Sequence, residues 1–146
     1  TSIETVSSRG HRFSEEISSL PIVLGNYVEV RDGKTEKFDI ESFNHGSATR
    51  KVIAIFNQIG LGDDLMRARD GRNIRAGKGT MRGRVHKTPK SILLVVKEKS
   101  GLAHAARNLP GVDVVAARDL CAEDLAPGGA IGRLTVFTKD AVEALN

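Results

Sequence analysis

Nine lysines and arginines stand within 24 residues: Arg67, Arg69, Arg72, Arg75, Lys78, Arg82, Arg84, Lys87 and Lys90. A single acid, Asp70, lies among them. The whole chain has 22 basic and 18 acidic residues, so 13 basic and 17 acidic residues remain outside the stretch. The net charge of +4 is therefore +8 in one segment and −4 spread over the rest. Such a segment repels itself unless an anion neutralises it, which points to a polyanion held at one face. Arginine outnumbers lysine six to three, and its planar fork suits bidentate phosphate contacts. Gly71, Gly77, Gly79 and Gly83 interrupt the charges, so backbone can approach a phosphate where a Cβ would collide.

The anion this chemistry suits is nucleic acid. Neutralising about six phosphates would give a log–log salt slope near −5. The segment contains no Phe, Tyr or Trp, the side chains on which single-strand binders stack bases. That favours folded RNA read by shape and backbone, with any stacking left to arginine planes or His86. Chemistry alone leaves DNA open. The bland alternative is a solvated, flexible loop, and the segment is expected to be disordered in isolation because no apolar period anchors it.

Other candidate motifs fail on spacing. Gly77-Lys78-Gly79-Thr80 resembles a phosphate-binding loop, which needs Gly, four residues, then Gly-Lys-Ser/Thr. Here five residues separate Gly71 from Gly77, and Gly79 occupies the hydroxyl position. No glycine triplet satisfies the dinucleotide-binding spacing. His11, His45, His86 and His104 are widely separated, and Cys121 has no neighbouring ligand, so no metal site is expected. Glu15-Glu16, Asp63-Asp64 and Glu123-Asp124 read as helix starts. No grouping suggests catalysis, and no cofactor or small-molecule substrate is expected.

The elements that must position the basic segment follow from periodicity. A frayed N-terminal helix end and loop fill the first 19 residues, followed by a strand over Leu20–Leu24. Tyr27–Arg31 alternates ahead of an Asp32-Gly33 turn, predicting a hairpin that ends near Phe38. Ser47 is placed to cap a helix carrying Val52, Ile55, Phe56 and Ile59, with Gly60 stopping it. Asp63-Asp64 open a second helix to about Arg69. After the basic segment, Ser91–Val96 is apolar throughout, as a strand buried on both faces must be. A helix over Gly101–Leu109, a strand over Val112–Ala117 and a helical turn at Ala122–Ala126 come next. Arg133–Thr138 is a last strand and Lys139–Leu145 a last helix, with Val142 and Leu145 facing inward. Strands alternating with helices predict one α/β domain over 1–146 with a largely parallel sheet. No apolar run reaches the roughly 18–20 residues of a membrane span. One cysteine fits a reducing compartment.

Arg72-Asn73-Ile74-Arg75-Ala76-Gly77-Lys78-Gly79-Thr80-Met81-Arg82-Gly83-Arg84, followed by Pro89–Val95, resembles the archaeal and eukaryotic branch of large-subunit ribosomal protein L4. Ala105–Gly111 and the ungapped stretch Asp124–Thr138 extend the resemblance, which covers roughly Arg9–Leu145. It implies a Rossmann-like sheet, no enzymatic activity, and binding to large-subunit ribosomal RNA beside neighbouring ribosomal proteins in the cytoplasm. Arg72, Arg75, Lys78, Gly79, Arg82, Gly83, Arg84 and Lys87 would then meet RNA; Arg133 would lie near RNA or on the surface. It also implies a helix leading up to Val52 in place of the hairpin. The family's N-terminal strand and tunnel-reaching loop are not in this sequence, which starts at Thr1, so a partial chain is expected. Two readings compete: a small α/β nucleotide-binding enzyme using the strand ends, and a DNA-binding chromatin-like protein.

Overall fold

A computed structural model of the chain describes residues 2–25, 27–31, 35–39, 48–99 and 101–145, with backbone only for 27–31, 35–39 and residue 48. Four strands form a parallel sheet: β1 (Ile22–Leu24), β6 (Leu93–Val96), β7 (Asp113–Ala116) and β8 (Thr135–Thr138), in the order β1-β8-β6-β7. Leu94 stands opposite Val114 on one side and Val136 on the other, so β6 is an interior strand. All four of its residues are buried. Its side chains alternate between two cores, since successive residues of a strand point to opposite faces. Leu94 and Val96 join Val52, Ile55 and Phe56 of α2 (Ala48–Gln58) and Leu102 and Ala106 of α5 (Gly101–Arg107) on one face. Leu93 and Val95 join Ala117, the residue after β7, and Ala141 of α7 (Lys139–Leu145) on the other. Each fully buried aliphatic side chain of this kind stabilises the fold by about 1.5–3 kcal/mol.

The elements end where local chemistry ends them. The amide of Leu61 reaches the carbonyl of Phe56 and that of Gly60 reaches Asn57, the paired closing bonds of a glycine-terminated helix. Gly60 has φ +87°, as that geometry requires. α3 (Gly62–Asp70) follows, acids in its first turn and Arg67 and Arg69 in its last, the arrangement that complements the helix dipole.

Three expectations need correction. The N-terminal segment is not frayed: α1 (Ile3–Ser8) is capped by Ser2, whose hydroxyl accepts from the Thr5 amide, and Val6 is buried. Leu145 is exposed, and Ala141 takes the inward position in α7. A seven-residue helix laid on a sheet has room for a narrow contact stripe, and the small Ala141 lets α7 come close. At 27–31 and 35–39 the chain forms an antiparallel pair, β2 (Tyr27–Arg31) with β3 (Thr35–Asp39), as the alternation of Tyr27–Arg31 predicts and unlike the helix that the resemblance implied there. The Asp32-Gly33 turn and the Ser47 cap lie outside the described residues.

Candidate nucleic-acid interface

The basic segment leaves the body at the C-terminus of α3 and returns at the start of β6. Between those points the chain folds into a small arm. β4 (Asn73–Ile74) pairs antiparallel with β5 (His86–Lys87), and α4 (Lys78–Met81) forms the tip. The arm therefore has regular structure in place of the featureless loop expected from its lack of apolar period. Local hydrogen bonds hold it: Arg75 amide to Val85 carbonyl at 2.8 Å, Arg84 amide to Gly79 carbonyl at 3.0 Å, and Thr80 hydroxyl to Arg75 carbonyl at 2.6 Å. Gly77 and Gly83 turn the chain at φ +77° and +76°, values that residues with a Cβ rarely adopt. Between residues 71 and 90 no side chain is buried, so turn and ribbon bonding is the arm's whole internal support.

This placement separates the basic residues into two groups. Arg72, Arg75, Lys78, Arg82, Arg84, His86 and Lys87 are exposed along the arm, and Arg69 is exposed on α3. Among the described residues, Arg72, Lys78, Arg82, Arg84 and Lys87 have no acidic partner. Arg75 donates from Nε to the His86 carbonyl at 3.1 Å, which fixes its guanidinium against the ribbon. Gly79 and Gly83 border open space, where an added Cβ would meet nothing closer than the Arg75 Cδ at 3.6 Å. A groove of about 470 Å3 runs between ribbon and tip, lined in part by Ile74, Arg75, Gly79, Arg84 and Lys87.

Arg67 and Lys90 form the second group, at the base of the arm. Arg67 Nε lies 2.8 Å from Asp64 Oδ1, and its Nη2 donates to the Lys90 carbonyl, also at 2.8 Å. Lys90 Nζ lies 2.7 Å from Asp113 Oδ2. These two cations turn back to carboxylates of the body instead of standing out with the others.

Asp64 is the residue that sequence reading understated. It opens α3, as a helix-start acid should, but it is also fully buried. His11 Nδ1 at 3.1 Å, the Ser91 hydroxyl at 2.6 Å and the Arg12 amide at 3.0 Å all donate to it beside Arg67. Burial opposes its ionisation, yet the bonds from His11, Arg67, Ser91 and the Arg12 amide prevail and hold its carboxyl well below the usual range. The Arg67 spacing, i to i+3 on a helix, was readable; the roles of His11 and Ser91 depend on tertiary approach. Asp113 also lies below its ordinary value: burial raises it, and hydrogen bonds and charge from Lys90 and Arg133 lower it further.

Arg133 corrects an expectation. It is neither near-surface nor open to RNA, being only 3% exposed. Its guanidinium binds Asp113, the Asp124 carbonyl at 2.9 Å and the Ser91 carbonyl at 3.3 Å. Position beside a glycine-rich turn suggested exposure, but a carboxylate and two carbonyls make burial of the charge tolerable. Arg9 donates to the carbonyls of Ala130 and Pro127 and closes the same turn.

Residues 23–146 match the model of the ribosomal protein L4/L1 family. The large ribosomal subunit protein uL4 of Methanocaldococcus jannaschii is 46% identical over 142 residues, covering 97% of this chain and 50% of that protein. Its counterpart in Thermoplasma acidophilum is 44% identical over 144 residues, covering 99% and 50%. That of Halobacterium salinarum is 41% identical over 143 residues, covering 98% and 51%. The chain spans about half the length of the curated relatives it matches. With an α/β body, a charged arm rooted in that body and a 44–46% identity that extends over nearly the whole chain, the chain belongs to the ribosomal protein L4/L1 family.

Proposed function

We propose that this chain is a structural constituent of the large ribosomal subunit that binds and organises large-subunit rRNA through its basic arm. One observation carries the reading: five arm cations without acidic partners among the described residues project from a segment that has no core of its own. Such charge is stabilised by phosphates and by the release of their counterions. Arg69, Arg72, Arg75, Lys78, Gly79, Arg82, Gly83, Arg84, His86 and Lys87 face the RNA, while Arg67 and Lys90 set the base of the arm. The rest of 1–146 is one α/β domain acting as the holder, without enzymatic activity. Its partners are rRNA and neighbouring large-subunit proteins, and its place is the cytoplasmic ribosome.

The test is co-sedimentation with large ribosomal subunits followed by a salt wash. Association at low salt and release at high salt is expected. Failure to co-sediment, or equal affinity for duplex DNA and structured rRNA, would overturn the reading.

A further inference from the structure

We infer that the groove between the β4–β5 ribbon and the α4 tip receives a single unstacked nucleotide of the bound RNA. The inference rests on the rRNA reading and specifies what one part of the arm recognises. A volume of about 470 Å3 falls in the roughly 300–1,000 Å3 range of small-molecule sites. Its lining combines the three things a nucleotide needs. Arg84 and Lys87 supply positive charge for a phosphate. Arg75, held by its bond to the His86 carbonyl, offers a fixed guanidinium plane for base stacking at the groove, in an arm that has no Phe, Tyr or Trp. Ile74 is 71% exposed, an apolar wall with no covering side chain in the arm.

Gly79 sharpens the case. It is the second residue of the four-residue α4, and its backbone is not in the left-handed region that favours glycine. No close contact within the chain demands it, since a Cβ there would meet only the Arg75 Cδ at ordinary van der Waals distance. The bare backbone is explained if something outside the chain comes close at the groove wall. A duplex presents its bases stacked and paired, so the occupant that reaches both Ile74 and the Arg75 plane is an extruded nucleotide.

The experiment compares the chain with Gly79→Ala and Gly79→Leu, each checked by thermal melting. The probes are deproteinised archaeal large-subunit rRNA and a perfectly paired RNA duplex, at matched salt. An added Cβ meets no close contact within the chain, so melting midpoints equal to the parent are expected. Affinity for rRNA should fall in the order Gly, Ala, Leu, by about tenfold or more for Leu, the scale of losing one stacked base. Duplex affinity should fall much less than rRNA affinity. Undiminished rRNA binding by both variants would show the groove empty in the complex. Equal losses on both RNAs would show that it meets paired backbone. Either result overturns the inference and leaves the rRNA reading standing, whereas a parent chain that does not prefer rRNA to duplex overturns both.

Discussion

Arg67 Nη2 donates to the carbonyl of Lys90 at 2.8 Å, so one guanidinium joins the start and the end of the basic arm. The same side chain is bound to Asp64, whose carboxylate is fully buried. The arm's geometry at its base is thus set by an ion pair inside the body. Exposed charges on a segment without a core need such an anchor, because their mutual repulsion acts to splay the two ends apart.

Asp64→Ala should destabilise the chain by about 3–5 kcal/mol, the cost of stranding a buried charge by removing its partner. Arg67 would lose its counter-charge, and His11 and Ser91 their acceptor. Urea denaturation followed by circular dichroism measures it. A loss under about 1 kcal/mol, typical of exposed pairs, would contradict the anchoring role.

Acid should remove the same stabilisation. Asp64 and Asp113 both have folded pKa values below their unfolded ones. In the unfolded chain a carboxyl of this type titrates at about 3.9, so on acidification the unfolded state takes up protons first. The contribution is complete above that range and falls as pH drops below about 5. Urea midpoints at a series of pH values should decline on the acid side, and Asp64→Asn should flatten the decline. An acid limb equally steep in Asp64→Asn would assign the loss to other groups.

The sheet was legible because its strands are short apolar runs between glycine and proline punctuation, and Ser91–Val96 needs no tertiary knowledge to be recognised as interior. The charges of the arm were legible for the opposite reason: nothing apolar competes with them. What the sequence withheld are the pairings made across the chain. His11 meets Asp64 from 53 residues away, and Arg133 meets Asp113 from 20. No period encodes such contacts, and a buried arginine and an exposed one are the same letter. The ribbon of the arm was hidden as well, since two-residue strands carry too few side chains to show an alternation.

Gly111→Ala should destabilise the chain by about 2–5 kcal/mol, adding left-handed strain to overpacking. Gly111 has φ +74°, and a Cβ would stand 2.4 Å from the Pro89 carbonyl oxygen and 3.1 Å from Ala68 Cβ. Gly83→Ala is the control: φ +76° but open space, so strain alone should cost at most about 1–2 kcal/mol, and less where the arm opens locally. Equal costs in the two variants would mean that the contact between Gly111 and the return of the arm does not matter to stability.

Hydrogen exchange should distinguish arm from body. The amides of Arg75, Arg82, Gly83 and Arg84 are hydrogen-bonded, but no buried side chain backs them. Local opening there is cheap, so they should exchange far faster than those of Leu93–Val96. This is also where the expected disorder of the isolated arm is tested. Adding rRNA should slow the arm amides and leave those of β6 unchanged. Arm amides as slow as β6 without RNA would mean that the ribbon is rigid on its own.

Arg82→Ala combined with Arg84→Ala should weaken rRNA binding without lowering the melting midpoint. Both side chains are exposed, and neither has an acidic partner among the described residues, so the folded body loses no contact. Each phosphate contact contributes about 0.7–0.9 to the log–log salt slope, so removing two should reduce the slope by about 1.4–1.8. The slope is the more informative readout. A lower affinity with an unchanged slope would mean that the arginines shape the arm and touch no phosphate. A shallower slope at an unchanged melting midpoint would place both guanidinium groups on the RNA backbone.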